Sequence, residues 1–543
     1  MMHTISKSLL LLLAITLLGC GGTGGLVLTP VKNIDATPLK IEALTTAEKK
    51  NWGHLDLVTD TIPGMSVDKA YQDIIKNKKG TKVIVAVLDS GVDLSHEDLK
   101  KVLWINKGEK ANNGIDDDNN GYIDDIHGYN FLGESYNEQL EYARMLRLNI
   151  GEPSVLAKAK TKLDKEYAAA IQNKQQYEQI LQAVKNADTA VKDYLNKDTY
   201  TKQDVAGIQT KEEGLLRHKA VLAQMFSVKE TIPEVITELG DGITHFSDQL
   251  NYNLNKDFNG RTSVGDDPYN WEDSDYGNGN PKNRVAKESH GTHVAGIIAA
   301  ERDNGKGANG IANNVAIMSI RAVPNGDEYD KDIAYGIRYA VDNGAKVING
   351  SFGKSFSPKA TWVYDAIKYA AAKDVLFVHA AGNDGANLDD VSNPNYPNDQ
   401  IANGPEIADN VITVGALDAK YGATLVASYS NYGKINVDIF APGTDIYSSY
   451  PNNEYEYSPG TSMAAPAVAG LAALLFSQYP TLKAAQVKKI ILASGLPIKT
   501  KVVLGGDNAN VASLDEISTS GKIANAYNAL VMANQVVKGT LKL

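Results

Sequence analysis

Acyl transfer by a serine hydroxyl needs a base to take its proton, a carboxylate to hold the base, donors for the developing oxyanion, and a cleft for the chain being cut. This 543-residue sequence offers a candidate for each. Ser462 lies in Gly460-Thr461-Ser462-Met463-Ala464-Ala465-Pro466, directly before the apolar run 467–476. Gly460 permits a sharp turn, and Ser462 is then expected at a helix N-terminus, where free N–H groups favour negative charge. Pro466 is expected in the first helical turn, where its missing N–H costs little. His290 opens His290-Gly291-Thr292-His293-Val294-Ala295-Gly296, with Ser289 before it as the expected cap. Two histidines at i and i+3 raise the question of a metal pair, but no third Cys or His is near and H-E-x-x-H spacing is absent. Asp89 follows the apolar run 83–88, and Asn383 closes Ala380-Ala381-Gly382-Asn383 just after the run 375–378. Each residue alone has an ordinary reading, as a helix cap or a turn. Their combination is what points to chemistry.

The elements that must position these groups are legible as well. Continuous apolar runs recur at 83–88, 315–320, 346–349, 375–378 and 411–414, separated by helical patterns such as 333–341 and 362–372. Runs of this kind suit strands covered on both faces, so the fold class expected is α/β, a doubly wound and mostly parallel sheet. Catalytic groups of such sheets collect at the carboxyl ends of strands, where Asp89 and Asn383 both stand. Segment 136–257 breaks the pattern. Steps of four and three from Leu156 to Val184 meet seven apolar or aromatic residues in nine positions, which predicts a long helix from Pro153 packed on a second at about 211–225. With 15 basic against 17 acidic residues between positions 135 and 255 it is not a basic arm, and an inserted helical subdomain is expected. Its two ends lead to Asp89 and to His290, so it is expected beside the cleft rim. There it would screen bulky substrates while remaining dispensable for peptide cleavage.

Taken together, these strings resemble those of the subtilisin-type serine peptidases, the subtilase family, over about residues 52–134 and 260–532. The order Asp, His, Ser differs from the chymotrypsin and α/β-hydrolase orders. The resemblance implies a serine endopeptidase with Asp89 as orienter, His290 as general base then acid, and Ser462 as nucleophile. Asn383 and the Ser462 backbone N–H would form the oxyanion hole. Ser351, Phe352 and Gly353 would pair with substrate backbone and line an apolar S1 pocket, with Ala380, Ala381 and Gly382 as the opposite wall. Protein or peptide substrates follow. Two other readings compete: a catalytically weak envelope scaffold that kept the peptidase fold, and a lipase or esterase. The first would ordinarily have lost a triad member, and the second calls for G-x-S-x-G around the serine, which Gly460 to Ala464 do not match. The chain departs from compact relatives in its long Asp89–His290 separation, in Pro459 where Ser is usual, and in Ala467 where His is common.

Two further features carry expectations. Asp116, Asp118 and Asn120, with Gly121 for the turn and the Tyr122 carbonyl, repeat the start of a calcium loop, and Asp125 is expected to close the shell. Structural Ca2+ is the cofactor expected, with no organic cofactor. A second acidic loop, Asp266-Asp267 with Asp273 and Asp275, is expected to be merely solvated. At the N-terminus Lys7 and an apolar run end on Leu17-Leu18-Gly19-Cys20, where Cys20 is the only cysteine of the chain. That run suits a signal peptide at 1–19, and its end resembles a lipobox, making Cys20 a lipidation site, 20–50 a tether and the membrane a partner. An exported protein of the cell envelope, lipid-anchored to a bacterial membrane or secreted, is expected. The net charge of −11 argues against nucleic acid. The expected organisation is a catalytic domain split into 51–135 and 258–543 by the helical insertion at 136–257.

Overall fold

The structure, a computed structural model, describes Leu28, Thr29, Lys40 and residues 42–543. The expected signal peptide, Cys20 and most of the tether lie outside the described residues. The runs rich in Val, Ile and Leu form the middle of a nine-stranded sheet. Its first strands are β1 (Val83–Asp89), β2 (Gly128–Asn130), β3 (Val315–Arg321), β4 (Val347–Gly350), β5 (Leu376–Ala380), β6 (Val411–Leu417) and β7 (Ile439–Pro442). Outside the sheet, β8 (Ile446–Tyr450) and β9 (Glu454–Ser458) form one hairpin, and β11 (Val502–Leu504) and β12 (Asp507–Ala512) another. With β10 (Leu496–Pro497) and β13 (Lys522–Ile523) the sheet order is β10-β13-β7-β6-β5-β4-β1-β3-β2. Neighbours are parallel except at the β10–β13 edge.

Alternation along the strands assigns each side chain to a face. Val83, Val85 and Val87 share a core with helices His290–Ala299 and Thr461–Gln478. Ala86 and Leu88 face helices Asp330–Asp342 and Ala360–Ala372 on the other side. This is the doubly wound arrangement expected of strands apolar on both faces. Thr461–Gln478 is long and apolar enough to cross a membrane, yet it lies buried in the core. Leu88 of β1 stands opposite Gly350 of β4, so Asp89 and Ser351 leave the sheet side by side on adjacent strands.

Segment 136–257 is helical, as its spacing predicts. Pro153–Leu195 is one helix of 43 residues, about 65 Å long. It packs on Glu213–Met225 and also on a third helix, Ile232–Asp248, that the apolar spacing did not single out. The arm has two separate apolar cores. Val184, Val191, Leu215, Leu222 and Val235 fill its tip, while Tyr142, Ala159, Leu163 and Leu254 fill its foot together with Phe356 from the loop after β4.

The acidic loop at 266–275 is exposed at Asp267 and Asp275, as expected, but not at Asp266. The Asp266 side chain is buried, its carboxylate 2.6 Å from Arg261 Nε and 2.5 Å from Lys331 Nζ. Buried cations there draw the carboxylate inward.

Candidate active site

Asp89 ends β1 and is buried, and its position is fixed by the chain around it. Ser90 N–H donates to its Oδ1 at 2.7 Å. His290 Nδ1 donates to the same carboxylate, 2.8 Å from Oδ1 and 3.0 Å from Oδ2. That bond fixes the tautomer and leaves Nε2 with its lone pair. Gly291 makes the approach possible, because a Cβ there would sit 2.4 Å from Gly91 O. Burial lowers the pKa of His290, but the Asp89 charge and hydrogen bond outweigh it and leave the imidazole raised above 6.5. Ser289 makes no side-chain cap to this helix, contrary to expectation. The entry is held instead by Glu288, whose buried carboxylate lies 2.5 Å from Arg321 Nη2 at the end of β3. His293 is a buried structural histidine: its Nε2 lies 3.1 Å from Glu456 O, and burial holds its pKa down to about 4.

Ser462 is the second residue of helix Thr461–Gln478. Pro466 is therefore in the second turn, not the first. Its missing N–H is the one that would bond Ser462 O, four residues back. That carbonyl accepts from Ser351 Oγ at 2.9 Å instead, while Ser462 Oγ donates back to Ser351 O at 3.2 Å.

Asn383 follows β5 and is oriented by a residue to which sequence reasoning assigned no role. Its Oδ1 accepts from Thr461 N at 2.9 Å and Thr461 Oγ1 at 3.0 Å, and Thr461 Oγ1 in turn accepts from Gly382 N at 3.0 Å. The amide nitrogen is left as the outward donor. Asn383 Nδ2 and Ser462 N lie 3.7 and 3.5 Å from a single point beside Gly460, so the two donors flank one small space.

Ser351 and Phe352 are buried and Gly353 is exposed on one side; Ala380 and Ala381 are buried on the other, with Gly382 at φ +96°. Between them stands Asn395, which no motif announced. Its Nδ2 donates to Ala381 O at 3.1 Å, and its Oδ1 lies 2.6 Å from where a Cβ on Gly353 would be. The wall-to-wall space is therefore narrowed by a polar side chain, unlike the apolar slot expected.

The acidic loop assembles differently from a simple calcium-loop reading. Carboxylate oxygens of Asp116 and Asp118 converge within 4.8 Å together with that of Glu109, which the spacing did not reveal. Asn120 uses its oxygen to accept from Tyr122 N at 2.8 Å and turns its amide toward Asp125, while the Tyr122 ring packs on Tyr129 and Tyr339. Asp125 is not one of the three converging carboxylates, although Asn106 Nδ2 donates both to it and to Asp118, at 2.8 and 2.9 Å. It is fully buried, accepts from Tyr339 OH at 2.6 Å and Asn106 Nδ2 at 2.8 Å, and burial pushes its pKa up to about 6. The expected closing ligand is instead a core acceptor.

Residues 80–515 match the profile of the subtilase, or peptidase S8, family. The chain belongs to the subtilase family. Among relatives, the thermophilic serine proteinase of Bacillus sp. (strain AK1) is 44% identical over 211 residues, 39% of this chain and 46% of that protein. Subtilisin DY of Bacillus licheniformis is 37% identical over 223 residues, 41% of this chain and 76% of its own. Thermitase of Thermoactinomyces vulgaris is 40% identical over 190 residues, 35% of this chain and 61% of its own. The chain thus spans less than half of the first of these subtilase relatives and most of the second.

Proposed function

We propose that this subtilase is a serine endopeptidase working through Asp89, His290 and Ser462. The observation that carries the reading is the buried Asp89 carboxylate on His290 Nδ1, at the strand ends where Ser351 joins Ser462. His290 Nε2 takes the Ser462 hydroxyl proton as Oγ attacks the scissile carbonyl. The oxyanion is met by Asn383 Nδ2–H and the Ser462 N–H. His290 returns the proton to the leaving amine, and water then cleaves the acyl-enzyme by the same steps. Ser462 Oγ donates to Ser351 O in the structure, and catalytic hydrogen bonds tighten when substrate arrives. Substrate backbone pairs with 351–353, and the P1 side chain enters between Gly353 and Gly382.

Calcium fits the acidic loop. Three carboxylate oxygens within 4.8 Å suit one ion taking oxygen ligands at about 2.3–2.6 Å. Glu109, Asp116 and Asp118 would hold it, and the ion would supply charge balance and rigidity, with no part in the reaction. Segment 136–257 is read as an insertion in the peptidase domain. Export and anchoring through a lipid on Cys20 rest on the sequence, and one relative is named a cell wall-associated protease of Bacillus subtilis (strain 168). The test is a labelled fluorophosphonate on purified protein, with Ser462→Ala as control. Equal labelling of both proteins, or none of either, overturns the assignment.

A further inference from the structure

The helical arm and the substrate-binding segment meet in a buried ion network. Lys354 directly follows Gly353, and its side chain is almost wholly buried. Its Nζ lies 2.7 Å from Glu141 Oε2 and 2.9 Å from Asp330 Oδ1, and it donates to Glu328 O at 2.7 Å. Glu141 opens the first helix of the arm, Glu141–Leu148. The same carboxylate binds Arg144 Nη2 at 2.6 Å and accepts from Tyr269 OH at 2.9 Å. Arg144, fully buried, also donates to Asp327 O at 2.7 Å and Glu328 O at 3.0 Å. The Lys354 backbone is held from the opposite side: its N–H donates to Tyr396 O at 3.2 Å, and Tyr396 N–H donates to Lys354 O at 2.9 Å. Two residues on, Phe356 packs on Tyr142 of the arm's foot, ring centroids 5.9 Å apart.

A buried ammonium this close to two carboxylates is not free to drift, because separating it from either leaves an uncompensated charge in the interior. The strand end that touches Ser462 is therefore tied, three residues further on, to the first turn of the arm. We propose that Glu141, acting through Lys354, is a positioning residue that sets the backbone of 351–353 for substrate. The arm's foot is on this view a part of the peptidase site, while the tip is not. The inference rests on the reading of 351–353 as the substrate-pairing segment.

The test uses Glu141→Gln, which keeps the shape and removes the charge, in the full chain. Rates are taken per serine labelled by the fluorophosphonate, so that unfolded protein does not count. For a tetrapeptide anilide the expected result is a fall in kcat/KM of about tenfold, carried mostly by KM, since a misplaced backbone clamp weakens ground and transition states alike. Amide exchange in a peptide covering 351–357 is expected to quicken. Should Glu141→Gln yield no labelled protein, Tyr269→Phe withdraws one hydrogen bond from the same carboxylate, and a rise in KM of about twofold or more is expected. A labelled variant with wild-type KM, whatever its melting temperature, overturns the proposal. Wild-type protein that neither labels nor cleaves overturns the peptidase reading instead.

Discussion

Ser351 is bonded twice to Ser462, giving its hydroxyl to the Ser462 carbonyl at 2.9 Å and receiving the Ser462 hydroxyl on its own carbonyl at 3.2 Å. Pro466 makes the first bond necessary, because the helix offers that carbonyl no N–H of its own. Ser351→Ala leaves a helix carbonyl without its donor, at a cost of about 1–3 kcal/mol. It also strips an acceptor from Asn349 Nδ2, which lies 2.9 Å from Ser351 Oγ. The expected outcome is a lower denaturant midpoint together with reduced kcat/KM. An unchanged midpoint would show that water replaces the hydroxyl without loss.

The Asp89–His290 pair predicts opposite pH dependences for stability and activity. With its pKa raised above 6.5, His290 contributes stability that is full below 6.5 and lost as pH rises through the folded value. On the proposed mechanism activity runs the other way, since there only neutral His290 can accept the Ser462 proton. Asp89→Asn is expected to move the acid limb of the kcat/KM profile to lower pH and to cut kcat by about 10⁴. A limb that stays in place would mean that another group controls it.

Asn395 predicts a narrow P1 preference. Asn395→Gly opens the space between Gly353 and Gly382, and one lost contact set in such a pocket changes discrimination by about 10–200-fold. A panel of tetrapeptide anilides differing at P1 is expected to show Phe gaining on Ala by about tenfold or more. If the ratio is unmoved, the side chain is not at the P1 site.

Calcium is expected to raise the melting temperature, by the equivalent of about 2.7 kcal/mol at a hundredfold excess over Kd. Asp118→Asn and Glu109→Gln should each abolish most of that gain relative to chelator. An equal gain in both variants would place the ion elsewhere.

What the sequence made legible follows physical range. Asp89, His290, Asn383 and Ser462 stand in strings whose neighbours shape them locally, and the strands that present them are runs that only a two-sided core would bury. The third arm helix was also readable, from the capping box of Thr231 and Glu234 with Pro233 between them, although apolar spacing did not mark it. Asn395, Glu109 and the Glu141–Lys354 contact were not readable. Each is an ordinary polar residue locally, and its role comes from chain beyond its immediate neighbours, from Asp116 and Asp118 for Glu109, from Ala381, 14 positions away, for Asn395, and across 213 positions between Glu141 and Lys354. Asp125 misled for the same reason: its neighbours in sequence are acidic, but Tyr339, 214 positions on, takes its carboxylate into the core.

The two cores of the arm separate what a deletion would do. Removing all of 136–257 takes away Glu141 and Arg144 and strands Lys354 beside Asp330, so it is expected to cost folding or peptide cleavage. The tip is different, since Val184, Val191, Leu215 and Leu222 bury one another there and not the sheet. A cut can be placed where the two long helices meet, because a Cβ on Gly242 would lie 2.3 Å from the Tyr177 ring. Replacing 179–240 with a short Gly/Ser turn keeps the foot residues Tyr142, Leu163 and Leu254. The shortened protein is expected to fold and to cleave a tetrapeptide anilide within about tenfold of wild type, or 1.4 kcal/mol. If the tip screens bulky substrates, cleavage of folded proteins will change far more than cleavage of the anilide. The arm carries basic and acidic residues in near balance, so that screening would be steric and weakly dependent on salt. A shortened enzyme with the wild-type ratio of protein to peptide cleavage would leave the tip no part in selecting substrates.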